Sequence, residues 1–259
     1  MLRTLLPILL LTAAGASAGE VRVAHAGSMT YCVSELNEVY ERQHAGARVQ
    51  LDMGATGKLA ADIEQGKAAD VFLGADSGTA QHMVERRLAE RSNVFEIGQG
   101  QLALWTLNPA IELTSVATAV EDPRVAGIAI GNPAIGPYGR AATEALRNSG
   151  VWNAARPKLI TGDNIVTVMH LVHYGAAQVG FMPVSLVMAP MLAGTGHYRL
   201  IPRSLYAPIR HTAVLTAQGA RNAEAVRYFA FLKGPEARKV FDRYGFILQS
   251  TSPPSPHKR

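Results

Sequence analysis

Val21-Arg22-Val23-Ala24-His25-Ala26-Gly27-Ser28-Met29-Thr30 is the stretch that decides the fold. Apolar residues alternate through it as a strand requires, and the run stops at Gly27-Ser28. Directly afterwards Val33, Leu36, Val39 and Tyr40 recur at helical spacing on one face. A strand that turns straight into a helix leaves unpaired backbone N–H groups and a hydroxyl at its carboxyl end. Such a place binds anions.

The same device recurs along the chain. Arg48 to Met53 alternates as a strand and ends in Gly54-Ala55-Thr56-Gly57-Lys58, before a helix with Leu59 and Ile63. Val71-Phe72-Leu73-Gly74 is a short, continuously apolar run of the kind found in sheets covered on both faces. It closes on Ala75-Asp76, and the next helix is expected over about 79–89, with Asp76 as its cap. Strands then follow at 101–106 and 127–131. Gly136-Pro137-Tyr138-Gly139 opens a helix carrying Ala142 and Leu146, and Gly162-Asp163-Asn164 opens another carrying Ile165, Val168 and Met169. A strand over 178–182, a return strand over 211–215 and two helices ending at Gly245 complete the order. Two βαβα runs with a return strand predict an α/β protein of two doubly wound lobes with mostly parallel sheets.

The chain has 259 residues, 48% apolar and 17% charged, which is enough to bury a core. Its first 18 residues read as an export signal: a positive charge at Arg3, an apolar run from Leu5 to Leu11, and Ala16-Ser17-Ala18 as the cleavage site. Ser250 to Arg259 is Ser/Pro-rich and polar, and is expected to be a disordered tail. No later stretch is apolar over the ~18 residues that a membrane span needs. The formal charge is +5, with Lys and Arg scattered and few aromatics between them. That pattern speaks against nucleic acid, while a mildly basic surface helps to steer an anion. The single cysteine, Cys32, has no partner for a disulfide and is read as a small buried hydrophobe.

Four motifs are set aside. Gly57-Lys58 lacks the leading glycine of a P-loop, since Asp52 stands there, and Leu59 replaces the Ser or Thr after the lysine. Ala26-Gly27-Ser28-Met29-Thr30 is not a G-x-S-x-G elbow, so a hydrolase using Ser28 is the weaker alternative. His170 and His173 lie three apart on a helix without an obvious third metal ligand. Tyr138, Tyr198 and Tyr206 do not form the adjacent tyrosine pair of a ferric site.

Ser28 and Thr56 each offer an O–H and a backbone N–H beside a glycine. The plain alternative is that both simply cap their helices. Taken with Gly54 to Leu59, Lys67 to Asp76, Gly136 to Ala142, Gly162 to Ile165, Phe231-Leu232-Lys233-Gly234-Pro235 and Arg243-Tyr244-Gly245-Phe246, the ordered set resembles the molybdate-binding proteins of bacterial ABC importers. The likeness runs over nearly the whole chain after residue 18. It implies two lobes joined by a two-strand hinge and closing on a tetrahedral oxyanion, molybdate or tungstate. The lobes would be 19–100 with 216–249, and 101–215. It also implies a periplasmic monomer without a cofactor or metal cation, which delivers its ligand to an inner-membrane ABC permease. Ser28, Thr56, Tyr138 and Ile165 are the implied ligand donors, the last two through backbone N–H groups, with Gly27 and Gly57 beside them. A tyrosine donor common in the family is replaced here by Pro183, which has neither hydroxyl nor N–H. His25, Tyr138 or Ser185 could substitute for it. Arg140 is expected outside the anion site. Pro183 and His25 keep open a ligand other than molybdate: sulfate-like, phosphate-like or organic.

Overall fold

The computed structural model describes residues 19–192 and 194–249. The expected export signal and C-terminal tail lie outside the described residues. In chain order the elements of the first half are β1 (Glu20–Ala26), α1 (Thr30–Gln43), β2 (Arg48–Gly54), α2 (Thr56–Glu64), β3 (Val71–Gly74), α3 (Ser77–Glu85) and β4 (Val94–Gly100). Then come β5 (Leu102–Thr106), α4 (Val116–Glu121), β6 (Ile128–Gly131), α5 (Pro137–Asn148), α6 (Trp152–Ala155), β7 (Leu159–Gly162), α7 (Ile165–His173), β8 (Val179–Pro183), α8 (Val184–Val187) and β9 (His197–Leu200). The chain ends with β10 (Ile209–Leu215), α9 (Ala223–Leu232) and α10 (Pro235–Arg243).

Two five-stranded sheets result, ordered β2-β1-β3-β10-β4 and β7-β6-β8-β5-β9. In the first, β1 runs parallel to β2 and β3, and β10 returns antiparallel to β3 and β4. In the second, β6 is parallel to β7 and β8, and β5 is antiparallel to β8 and β9. The chain passes between sheets twice: at Gln101, between β4 and β5, and over 201–208, between β9 and β10. These passages are the two-strand hinge. The expected boundary at 215/216 needs correction. β10 pairs with β3 and β4, so the return passage precedes Ile209 and 209–215 belong with the first lobe. His211-Thr212-Ala213-Val214-Leu215 is buried on both faces, and that apolar pattern carries no mark of which sheet receives it.

The apolar runs explain the layers. On β3, Val71 and Leu73 pack on one face with Met29, Leu36 and Tyr228. Phe72 points to the opposite face, among Leu59, Ile63 and Met83. The second lobe has one core, in which Trp105 and Phe181 from the sheet meet Ala142, Leu146 and Val168 from its helices. Cys32 lies in the first core, and burial pushes its thiol pKa up, as expected of an inert packing group. Gly245 takes the left-handed conformation (φ 74°) just past α10, and the N–H of Phe246 returns to the Phe241 carbonyl at 3.2 Å, closing the helix. Among the described residues, no helix is long and apolar enough to cross a membrane.

Candidate functional site

A small cavity of about 30 Å³ lies between the lobes, at the carboxyl ends of the parallel strands. Ser28, Thr56, Tyr138 and Ile165 all line it, as does Gly27. Residues from four separate strand-to-helix turns therefore meet at one point.

Neither hydroxyl is spent on a helix cap. Ser28 sits in a single 3-10 turn, Gly27–Met29, and its Oγ lies 3.0 Å from His211 Nε2 instead of on a backbone N–H. Thr56 is the first residue of α2, and its Oγ1 accepts from the Ala75 N–H at 3.2 Å. Accepting leaves the Thr56 hydroxyl proton free to donate elsewhere. On the second lobe, Asn164 Oδ1 caps α7 by accepting from the N–H groups of Val166 and Thr167 at 2.9 and 3.1 Å. The cap leaves out the first N–H of the helix, that of Ile165. At α5, Pro137 has no N–H, and Gly139 and Arg140 both donate to the Gly136 carbonyl, at 3.1 and 3.2 Å. Tyr138 contributes the remaining N–H of that first turn. Gly139 lets the turn lie against the end of β6: a Cβ there would stand 2.2 Å from the Gly131 carbonyl oxygen.

Three other candidates do not line the cavity. The N–H of Gly57 donates across the cleft to the Ile135 carbonyl at 3.0 Å, so it holds the lobes together. His25 is buried in β1, and its Nδ1–H donates to the Ala26 carbonyl at 3.1 Å. Ser185, at the start of α8, donates to the Ser28 carbonyl at 2.5 Å and steadies that turn from below. Pro183 is also absent from the lining. Of the proposed substitutes for the missing tyrosine, only Tyr138 reaches the cavity.

No cationic side chain lines the cavity among the described residues; the one carboxylate, Asp163, is exposed. Asp76 caps α3 by accepting from Thr79 N–H at 2.6 Å, and it also takes Arg140 Nη2 at 2.8 Å. Arg140 is thus engaged outside the cavity, across the cleft. Positive potential inside comes from helix starts, where backbone dipoles converge. Among the described residues no group of three His, Cys, Asp or Glu could hold a metal ion, and His170 and His173 are exposed.

His211 is the residue that sequence reading missed. It is fully buried in β10, and desolvation drives its imidazole pKa down to about 4, against the pull of the Ile209 backbone carbonyl and of Asp76. Burial lowers the pKa of His25 as well. Both rings are neutral in the fold at neutral pH and take up protons near the ordinary value once unfolded. The unfolded chain therefore binds more protons between pH 6.5 and about 4, and stability falls as the pH drops through that window. His211 alone is expected to account for roughly 1–3 kcal/mol of the loss. Urea unfolding at several pH values checks this: the slope below pH 6.5 should flatten in His211→Gln.

Against known proteins, residues 21–247 match the family described as bacterial extracellular solute-binding protein. The chain belongs to this family. The solute-binding protein is 33% identical to the molybdate-binding protein ModA of Rhodobacter capsulatus over 246 residues, which cover 95% of each chain. It is 31% identical to the ModA of Azotobacter vinelandii, covering 92% of this chain and 94% of the relative. The solved periplasmic molybdate-binding protein of Azotobacter vinelandii superposes with a TM-score of 0.83 at 25% identity, over 89% of this chain and all of that one. Several contacts cross the cleft between the lobes. Besides Gly57 to Ile135 and Arg140 to Asp76, the Tyr31 hydroxyl reaches Met169 Sδ at 3.8 Å.

Proposed function

We propose that this solute-binding protein captures molybdate or tungstate in the periplasm and hands it, as a monomer, to an inner-membrane ABC permease. The observation that carries the reading is the convergence of Ser28, Thr56, Tyr138 and Ile165 on a cation-free cavity of about 30 Å³. A water needs roughly 10–15 Å³ by this kind of measure, so the space suits one compact ion and leaves none for a carbon chain. Two hydroxyls and the N–H groups of several helix starts replace the hydration shell, and bonds of this kind to a charged guest are stronger than neutral ones. The relatives named for molybdate binding support the choice of anion. Selection against sulfate, also tetrahedral and doubly charged, falls to cavity size.

Calorimetric titration with molybdate, tungstate and sulfate tests this. Micromolar or tighter binding of the first two, with sulfate silent, is expected. Ser28→Ala should cost about 1–3 kcal/mol of binding, or roughly 5- to 150-fold in Kd. Sulfate binding as tightly as molybdate would transfer the assignment to the other anion.

A second reading is favoured by one contact only: Ser28 Oγ and His211 Nε2, at 3.0 Å, have the spacing of a nucleophile and its base. A working pair needs a third group on Nδ1 and a base titrating near neutrality. Nδ1 of His211 has no partner among the described residues, and its pKa stands near 4. Both features oppose catalysis, and we read the protein as a binder. Turnover of an activated ester, abolished by Ser28→Ala, would reverse that.

A further inference from the structure

Two buried polar side-chain atoms lack a hydrogen-bond partner among the described residues: Tyr138 Oη and His211 Nδ1. They share one spot. A Cβ built on Gly100 would lie 2.1 Å from Tyr138 Oη and 3.1 Å from His211 Nδ1. The two rings are 5.9 Å apart between centroids. On its other edge, His211 meets Ser28 Oγ at 3.0 Å. The imidazole is therefore placed between a tyrosine hydroxyl from the second lobe and a serine hydroxyl on the cavity wall.

We infer that His211 is a positioning residue: its Nε2–H donates to Ser28 Oγ, so that the serine proton is committed to the bound anion. This rests on the oxyanion reading above. The choice of tautomer follows from counting donors. With the proton on Nε2, Nε2–H faces Ser28 Oγ, and the Ser28 O–H is left for the ligand. With the proton on Nδ1, directed at the Ile209 carbonyl, Nε2 can only accept. It takes the Ser28 proton, and a dianion in the cavity meets the serine lone pairs. Neutrality of the ring is what allows it to donate on one edge and accept on the other, and its burial keeps it neutral. Phe246, edge-on to the imidazole at 4.8 Å, helps to hold the ring plane.

Nitrogen NMR of ¹⁵N-histidine-labelled protein, free and loaded with sodium molybdate, reads the tautomer directly. The His211 proton is expected on Nε2 in the loaded form, with Nδ1 bare. Calorimetry on three variants supplies the second readout. In His211→Gln the side-chain amide reaches the place of Nε2, and binding should stay within about 5-fold of the unmodified chain. His211→Asn is polar but reaches only the place of Nδ1. It and His211→Leu should both weaken molybdate roughly 10- to 100-fold. A proton on Nδ1 of the loaded protein, directed at the Ile209 carbonyl, overturns the inference, as does unchanged affinity in His211→Leu. Should the variants fail to fold, the tautomer of the unmodified chain decides. Absence of oxyanion binding by the unmodified chain is the distinct outcome that sinks the underlying function instead.

Discussion

Thr56→Asp is expected to abolish oxyanion binding, by more than about a thousand-fold in Kd, at a smaller cost to the fold. The substitution carries the side-chain oxygens one bond further out and places a carboxylate at the first, buried residue of α2. An acid in the first turn of a helix is favourable, worth about 0.3–1 kcal/mol. Its oxygen can also accept from the Ala75 N–H, as Thr56 Oγ1 now does at 3.2 Å. Because Thr56 is buried, desolvation of the new carboxylate outweighs these gains, and a stability loss of about 1–3 kcal/mol is expected. Binding loses more. At ~4 Å and an effective dielectric constant near 20, each pair of like unit charges costs about 4 kcal/mol, and a dianion doubles it. A donor is lost as well. Thermal melts and calorimetry on the same sample separate the two quantities. Molybdate affinity within tenfold of the unmodified chain would remove the start of α2 from the site.

The second large effect is on the fold. In Gly139→Ala, the new Cβ would stand 2.2 Å from the Gly131 carbonyl oxygen and 2.7 and 2.8 Å from the carbonyl carbons of Gly131 and Asn132. All three are backbone atoms at the end of β6 and cannot rotate aside, so α5 has to lift away from the sheet. A loss of about 3 kcal/mol or more is expected, or roughly 6–12 °C in Tm for a chain of this size. Molybdate affinity should fall too, since the Tyr138 N–H rides on the displaced turn. Gly136→Ala is the control: its Cβ would come only to 3.2 Å of one oxygen, that of Asn132, and should cost far less. An unchanged Tm in Gly139→Ala would contradict the packing described.

Much of the site was legible because its parts are local. Each of the four turns joins a strand to a helix within a few residues. Glycine or a hydroxyl beside such a turn means the same thing wherever it stands in the chain. What the turns share, a common void, is not local, and it was reached through the likeness to a family. The misses are all non-local. β4 went unread: Val94-Phe95-Glu96-Ile97-Gly98-Gln99-Gly100 mixes a charge and two glycines into a sheet-edge strand defined by pairing with β10, more than a hundred residues away. β9 lies in a Pro- and Gly-rich section, is also at an edge, and is mostly exposed, so its pattern is polar. His211 had a faint signal, a titratable residue heading an otherwise apolar run. Its partner, Ser28, is 183 positions away, and nothing in either neighbourhood names the other. Ser28 and Thr56 also show why composition alone misleads. Both types are favoured as helix caps, yet here the first bonds a histidine and the second accepts from another strand's end.

A single residue, Gln101, separates β4 from β5, and its amide donates to the Gly245 carbonyl at 2.8 Å. So short a tether gives the protein a chelate effect. Neither half of the cage can drift off, and each stands to the other at an effective concentration of order millimolar or above. On the function proposed above, an ion that slips from Tyr138 and Ile165 is still leashed to Ser28 and Thr56, and recapture is intramolecular. Unloading therefore calls for prying at the swivel, where a small rotation halves the number of grips and lets the rate of escape rise steeply.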